Sequence, residues 1–473
     1  MPTPTLTQEG VWFRTASGGC FWGALRRLGR FSVVFDVFSE SCEVRISEML
    51  QNVTITIRGR EVYKGRAVVR ALLQGGPTWT CEAELSESEW QDHVYESPAI
   101  LNGALEEAFS EFMEHWAEAY QIVPAYKSVI ADMHTFFSGL RIWLDQVELV
   151  QKMYADHSPH GHVAPVARAV AGRVIPCINE LFARFEKCCA EIPEELLPAH
   201  RSYMRRQLHP LTLCAPFAHR TFHKPLGYAG DYEMVNMIIR NGWEGPSLYA
   251  QVVNKWFLEQ PPAEAHRNRI AYLTECLIQE AVRVVNRRRR LRVLNLACGP
   301  AHEIQRFLVS SPLSNEAEIT LLDFDRETIE HAAHALQGLA QRYHRATEFR
   351  FLQESVFQLL KEREEARRGQ AVETYDVVYC AGLFDYLTDA VCRRLLAYML
   401  RHLEPGGLLI ATNVHPSNPL RNGMEHLLDW HLVHRSAGDM ESLAAELREY
   451  ADIRVLADPT GVNVFLQARK PEE

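Results

Sequence analysis

The 11 cysteines of this 473-residue chain include no C-x-x-C pair. Their scatter fits reduced thiols in a cytosolic protein rather than a disulfide framework. No apolar run reaches the ~18 residues that a membrane-crossing helix needs, so no transmembrane span is expected. Positive charge is not in excess: the formal net charge is −10, which removes any global pull toward nucleic acid or anionic membrane. The local run Arg287–Arg290 reads as a solvated helix end rather than a nucleic-acid patch. The opening MPTPTLTQEG has neither a charged n-region nor an apolar h-region, so no secretory leader is expected and the cytoplasm is the expected compartment. The loop HSPHGH offers His157, His160 and His162, but no further ligands stand at metal-site spacing, so it reads as a polar loop and no metal is expected. No G-x-x-x-x-G-K-[ST] occurs, which excludes a P-loop, and there is no internal repeat or low-complexity segment.

What is present falls into three stretches, a multidomain plan. Residues 1–95 carry short segments rich in Val, Ile and Thr with glycine turns between them, as in VTITIRGREVYKGRAVVRALL, and read as a small β-barrel or sandwich. Residues 96–264 turn helical, with apolar residues three and four apart. The aromatics Phe109, Phe112, Trp116, Phe136, Phe137 and Trp143 are expected to pack helix against helix. Residues 265–473 alternate strand and helix: RVLNLA, EITLLDF, FRFLQ, YDVVYCAG and GLLIATNV, then a terminal hairpin. Five strands with helical crossovers imply a parallel, doubly wound α/β sheet of Rossmann-like type, into which the hairpin inserts one antiparallel strand.

RRLGR, Arg26 to Arg30, followed by β-segments resembles a PilZ domain. The resemblance implies a barrel whose arginines grip cyclic di-GMP. The second motif departs from the family: in VRISEMLQN Ser47 is present, but the acid or amide and the glycine are missing. A docking or dimerisation module is the other reading of this stretch.

The turn after the first C-terminal strand reads NLACGPAHE. Aligned on Ala297 and Gly299, the third position of a dinucleotide fingerprint is His302. That position calls for glycine so that helix and strand can pack closely, which argues against NAD or FAD. The spacing Asn295-x-Ala297-x-Gly299-x-Ala301 instead matches acid-x-G-x-G-x-G with a small residue at each glycine position, as close backbone approach requires. Asp323, 24 residues beyond Gly299, ends the second strand and can accept from both ribose hydroxyls, with Asp325 in reserve. Glu354 or Ser355 could meet an adenine amino group, and Val356 or Phe357 could pack on the ring.

In this order and spacing the signals resemble the class I S-adenosylmethionine-dependent methyltransferases, over residues 265–473. The resemblance implies a seven-stranded sheet with an antiparallel last strand. It also implies S-adenosyl-L-methionine as cofactor and S-adenosyl-L-homocysteine as product. The cofactor-contacting set would be Ala297, Cys298, Gly299, Pro300, Ala301, Asp323, Phe324, Glu354, Ser355, Ala381 and Gly382. Arg267 or Arg269 could pair with the cofactor carboxylate. The family's first acid is Asn295 here, so contact with the methionine end is expected to shift to other residues.

No (N/D)-P-P-(Y/F) loop follows the fourth strand, which disfavours amino-methylation of DNA bases or glutamine. KPLGYAGDYEM, AGLFDYL and NVHPSNP…DWHLVHR together resemble, over residues 200–473, bacterial proteins of extracellular-factor biosynthesis that make 3-hydroxypalmitic acid methyl ester. That implies methylation of a carboxylate in a small or lipid-like acid. A carboxylate is already ionised at neutral pH and needs no general base, only a group to hold it and a dry site. The candidates for that work are His415, Tyr228, Asp385 and Tyr386, with Arg421 and Trp430 behind them. Asp385 suits a cationic or amine acceptor better, so nitrogen or sulfur methylation of a small metabolite is the alternative, and a non-enzymatic nucleotide-sensing scaffold a third reading. The GYAGDYEM segment is expected to form a lid rather than a plain helix. The length and aromatic content of the first two stretches favour a lid or a homodimer contact over a free linker.

Overall fold

The computed structural model describes residues 10–39, 44–57, 60–75, 78–86, 90, 109–110, 113, 121–154, 163–365 and 373–472. The HSPHGH loop and the aromatics Phe112 and Trp116 lie outside the described residues. Two compact units are present. One comprises Met1–Ala229, Gly242–Phe257 and Pro419–His431; the other comprises Gly230–Asn241, Leu258–Asn418 and Leu432–Glu473. The divisions read from the sequence at 95 and 264 therefore do not coincide with the two units. The barrel and most helices of the middle stretch share one unit, and the short segment Pro419–His431 joins them.

In the first unit, β1 (Gly10–Arg14), β2 (Cys20–Leu28), β3 (Ser32–Val37), β4 (Met49–Ile57), β5 (Arg60–Gly75) and β6 (Thr78–Leu85) close into an antiparallel barrel in the order β1-β2-β3-β6-β5-β4. Alternate residues point inward, so Val11, Phe13, Val33, Phe35, Val53, Ile55 and Ala83 are buried. Gly23 is required where it stands: a Cβ there would meet the Phe35 ring at 2.5 Å. Arg26, the first arginine of the sequence motif, donates to the buried Asp36 at 2.5 Å, and Thr80 donates to the same carboxyl at 2.7 Å.

The helices Pro124–Tyr154 and Val163–Cys189 pack together, and Leu197–Thr212 packs on the first of them. Phe137 is fully buried, as expected of a packing aromatic. Phe109 and Trp143 are not: they are 59% and 49% exposed, a correction to the expectation that all these aromatics fill the helical core. The helix Leu197–Thr212 also runs through Pro210, which falls in its last turn rather than beyond its end.

A buried charge cluster holds this unit together. Arg201 donates to Glu84 at 3.0 Å and to Glu425 at 2.9 Å; Arg205 donates to Glu84 at 2.9 Å and to Asp429 at 3.1 Å. Lys224 lies 3.8 Å from Asp429, and His431 shares a 3.0 Å hydrogen bond with it. Burial pushes the Asp429 carboxyl up, but Arg205 and Lys224 outweigh it and hold it well below its usual range. Glu84, Asp429 and His431 offer ligand atoms within 4.8 Å of one another. The cations beside them already neutralise the two carboxylates, so the group is an ion-pair network rather than a metal cage.

In the second unit the strands β7 (Leu291–Leu296), β8 (Ala317–Asp323), β9 (Glu348–Gln353), β10 (Tyr375–Cys380), β11 (Leu403–Val414), β12 (Asp452–Ala457) and β13 (Asn463–Arg469) form one sheet in the order β12-β13-β11-β10-β7-β8-β9. β13 runs antiparallel to both neighbours, and β11, β10, β7, β8 and β9 are mutually parallel. The central strands are buried on both faces and read as continuous apolar runs, whereas the edge strands β9 and β12 alternate. LEPGG is taken into β11 and shifts its register against β10. Leu273, Leu277, Ala281 and Val284 of the helix Pro261–Val285 pack with Ile304 and Phe307 against β7.

After that helix the arginine run is more paired than a solvated end would be. Arg289 donates to the fully buried Asp376 at 2.7 Å, and Arg290 to Glu348 at 2.5 Å. Among the described residues no helix is long and apolar enough to cross a membrane.

Candidate cofactor and acceptor site

The strand order reverses direction between β7 and β10, and in open α/β sheets the crevice at the carboxyl ends of such strands is where ligands bind. The turn leaving β7 is unusual in its backbone. Ala297, Gly299 and Ala301 have φ of 53°, 53° and 51°, so alternate residues sit in the left-handed region. Gly299 escapes the steric cost of that region, about 1–2 kcal/mol for a residue with a Cβ, and the two alanines bear it. This is a second reason, beyond close approach, for the glycine of the Ala-x-Gly-x-Ala pattern. A Cβ on Gly299 would meet nothing within 4 Å, so the turn faces open space at that residue.

Asp323 terminates β8 beside this turn. It is buried and accepts from the Gly299 N–H at 3.1 Å and from the Asp325 N–H at 3.1 Å. The carboxylate thus shapes the turn and stands at its rim. Asp325 has a different task. Its side chain caps the helix Arg326–Arg342, accepting from the Thr328 N–H at 2.7 Å and hydroxyl at 2.8 Å. Phe324 lies between the two acids and is partly buried. Glu354 donates its backbone N–H to the Asp323 carbonyl at 2.9 Å, which brings the ends of β8 and β9 together. Ser355 caps the helix Val356–Glu365: its Oγ accepts from the Gln358 N–H at 3.1 Å. Cys298 and Pro300 are buried in the turn, and burial pushes the Cys298 thiol well above its usual range.

The two arginines named from the sequence are held differently. Arg267 donates to the carbonyl oxygens of Leu258 at 2.9 Å and Ile238 at 3.4 Å, as a helix staple does. Arg269 is buried and packs over the backbone of Gly382, with Nη1 2.9 Å from where a Cβ would stand. Gly382 has φ of 81°, and its N–H donates to Thr412 at 2.8 Å. Among the described residues the only hydrogen-bond partner of the Arg269 guanidinium is His266, at 2.5 Å. Burial and the neighbouring Arg269 and Arg267 hold His266 well below its usual pKa, so that partner is neutral. Burial lowers the Arg269 pKa, opposed by the charges of Asp385 and Glu303.

Sequence reasoning missed Glu303. It is buried in the first turn of the helix His302–Ser310 and accepts from Tyr379 at 2.7 Å and Asn295 at 3.1 Å. Asn295, in place of the family's acid, therefore donates to an acid supplied eight positions later. The signal lay in NLACGPAHE itself, where an acid follows the turn.

His302 is also engaged. Its Nε2 bonds Asn236 Oδ1 at 2.8 Å, and burial lowers its pKa to about 4. Asn236 belongs to the helix Tyr232–Arg240, capped by Asp231. The GYAGDYEM segment straddles its start, with Gly227–Gly230 in turns and bends before the cap and Tyr232–Met234 in the first helical turn. The Tyr232 hydroxyl donates to Glu327 at 2.7 Å, and its ring stacks on His331 with centroids 4.5 Å apart.

Beyond β10, Ala381 and Gly382 lead into the short turn Phe384–Tyr386. Asp385 is buried there. Its Oδ1 accepts from the Val414 N–H at 2.7 Å and its carbonyl from the Val433 N–H at 2.8 Å, tying this turn to the end of β11. Burial pushes its pKa up to about 6, against the lowering effects of the Val414 N–H, Arg269 and Arg435. Arg435, also missed from sequence, locks the same region. It donates to Phe384 O and Asn413 Oδ1 at 2.8 Å and to Leu387 O and Asp389 Oδ1 at 2.7 Å.

Tyr386 is partly buried beside Asp385 in the chain. His415 follows β11, where its Nδ1 accepts from the Ser417 N–H at 3.1 Å and shares a 2.7 Å contact with the Ser417 hydroxyl. Tyr228, Arg421 and Trp430 belong to the first unit, where Arg421 pairs with Glu425 at 3.1 Å. The structure thus brings Ala297–Ala301, Asp323, Arg269, Ala381, Gly382, Asp385 and Tyr386 to the carboxyl ends of three adjacent strands.

Residues 294–409, from within β7 to within β11, match the family described as methyltransferase domain. Solved structures similar to the chain include three at low identity. A protein from Bordetella parapertussis described as a possible exported protein is 17% identical, with 67% of this chain and all of that one covered (100%) and a TM-score of 0.40. The magnesium protoporphyrin IX methyltransferase of Synechocystis PCC 6803, with bound S-adenosyl-L-homocysteine, is 11% identical, covering 44% of this chain and 84% of that one at a TM-score of 0.32. The N-methyltransferase NodS of Bradyrhizobium japonicum, in complex with S-adenosyl-L-homocysteine, is 16% identical, covering 51% and 98% at a TM-score of 0.31. No curated protein matches the chain.

Proposed function

We propose that the second unit binds S-adenosyl-L-methionine at the carboxyl ends of β7, β8 and β10 and methylates a small molecule, with a carboxylate as acceptor. The observation that carries the cofactor half is the buried Arg269 guanidinium, whose one hydrogen-bond partner among the described residues is neutral. Asp385 and Glu303 act on this cation through their charge but do not hydrogen-bond it, and a cofactor carboxylate would supply the direct charge-assisted pair. Asp323 provides the complementary acceptor for ribose hydroxyls, and the space over Gly299 lets the ligand approach the backbone. When bound, the cofactor supplies a sulfonium methyl for in-line transfer. The residues of this chain then have three tasks: hold the cofactor, orient the acceptor and exclude water.

An ionised carboxylate acceptor needs no general base, which agrees with a His415 whose Nδ1 is engaged by its own loop. Asp385 and Tyr386 would face the acceptor from the turn after β10. With its pKa near 6, Asp385 can carry a proton in mildly acidic conditions and donate to the acceptor. The same buried carboxylate supports a second reading, an amine acceptor held by an ionised Asp385.

Calorimetry with S-adenosyl-L-methionine and S-adenosyl-L-homocysteine tests the cofactor half. Binding by the wild-type chain and its loss in Asp323→Ala are expected; no binding, or binding indifferent to that change, sinks it. Transfer of labelled methyl to 3-hydroxy fatty acids and to small amines tests the acceptor half. Labelling of amines alone overturns the carboxylate reading and leaves the cofactor site standing.

A further inference from the structure

The helix Pro124–Tyr154 has two apolar faces. Met133, Phe137, Leu140 and Leu144 recur at three- and four-residue spacing and are buried in their own unit. A surface helix of a monomer ordinarily turns polar residues the other way. Here the opposite side presents Ile142, Trp143, Leu149, Val150 and Met153, exposed to 63%, 49%, 59%, 53% and 71%. With Gly139 and Gln146, both exposed, these residues fall within about 60° of one line along the helix at 3.6 residues per turn. The exposed apolar area is on the order of 600 Å², the upper end for the largest patch of a monomer. It also approaches the ~800 Å² that each partner buries in a standard interface.

We propose that this face is a dimer interface, closed by the same helix of a second copy running antiparallel across a two-fold axis at Gln146. The evidence is the self-complementarity of the face, because an isologous contact must pair residue i with j and j with i. In an antiparallel pairing centred on Gln146, Ile142 meets Val150, Trp143 meets Leu149, and Gly139 meets Met153. The last pair sets the largest protrusion against a notch: a Cβ on Gly139 would find nothing within 4 Å. Gly139, Ile142, Gln146, Leu149 and Met153 follow the alternating three- and four-residue steps of a coiled-coil seam, flanked by Trp143 and Val150. The single polar residue of the seam sits on the axis, where two glutamine side chains can hydrogen-bond each other and fix the register.

The flanking charges are compatible. Arg141 and Asp145 pair within the helix at 4.0 Å, and Lys152 and Glu148 at 2.8 Å. The antiparallel register sets Arg141 against Gln151 and Asp145 against Val147, so no like charges are opposed.

Light scattering and sedimentation of the full chain at micromolar concentration are expected to give a dimer. Ile142→Glu with Leu149→Glu forces unpaired carboxylates into the seam. It is expected to raise the dimer dissociation constant by about 100-fold and leave the circular dichroism unchanged. Gln146→Cys reads the axis directly: two cysteines on a two-fold seam come within disulfide reach, so oxidation should cross-link the dimer, whereas Lys152→Cys off the seam should not. A wild-type monomer, a double variant that still dimerises, or a dimer that Gln146→Cys fails to cross-link would each overturn the proposal.

Discussion

Both units bury charge, but they complete it differently. In the first unit the carboxylate oxygens of Glu84 each receive an arginine, and Asp429 gathers Arg205, Lys224 and His431, although Lys224 Nζ and Arg201 Nε have no hydrogen-bond partner among the described residues. In the second unit Arg269 is as deeply buried, yet its one hydrogen-bond partner among the described residues is a neutral imidazole. Burial of an ion is tolerated when the fold itself supplies the partner, and such a network is structural. A buried guanidinium that no carboxylate of the chain hydrogen-bonds marks a place where a carboxylate from outside can pair with it. This difference in direct carboxylate pairing, more than depth or charge count, separates the scaffold network from the candidate binding site.

The comparison can be broken at either end. The largest effect is expected in the closed network. Glu84→Ala leaves two buried guanidinium groups short of a partner and should cost about 4 kcal/mol of stability, read by denaturant unfolding. A cost below about 1 kcal/mol would mean that the network is not what holds these elements together.

Asp385 comes next, through pH. Its folded pKa, near 6, is raised above the unfolded value, so the folded state binds its proton more tightly. The stability this contributes is fully present below the ordinary aspartate range and is lost as pH rises through about 6, on the order of 3 kcal/mol across that window. Asp385→Asn should flatten that part of the stability–pH curve; an unchanged slope would show that the carboxyl titrates normally.

Arg269→Met probes the open end. Cofactor affinity should fall about 100-fold, as for loss of a charge-assisted pair, while the melting temperature changes little. A large loss of stability with unchanged affinity would make Arg269 part of the scaffold and reverse the comparison.

The smallest effect sharpens the turn. Ala297 is held at φ 53° and is only partly buried, so Ala297→Gly relieves backbone strain and should stabilise by about 0.5–1 kcal/mol, read as a rise in melting temperature.

Much of the site was legible because it is local. A strand running into Ala-x-Gly-x-Ala needs only neighbouring residues to adopt its turn, and Asp323 is placed by being the last residue of β8. Choices between near neighbours were not legible. Arg267 and Arg269 stand two residues apart on one helix, and only packing decides that the second lies over Gly382. Asp323 and Asp325 divide in the same way, one shaping the turn and the other capping a helix. Arg435 lies about 50 residues from the turn it locks, a separation no local pattern reports.

By itself, the sequence determined the order of strands and helices in the second unit, the small-residue turn and Asp323 at the end of β8. These depend on side-chain periodicity and on backbone preferences within a few residues. Tertiary structure alone decided which charges are completed by the protein and which are not. It also decided that the aromatic helix carries an apolar face turned outward as well as one turned inward. Both are matters of which distant groups come to lie beside a given side chain, and burial, the quantity that makes a missing partner costly, exists only once the chain has folded.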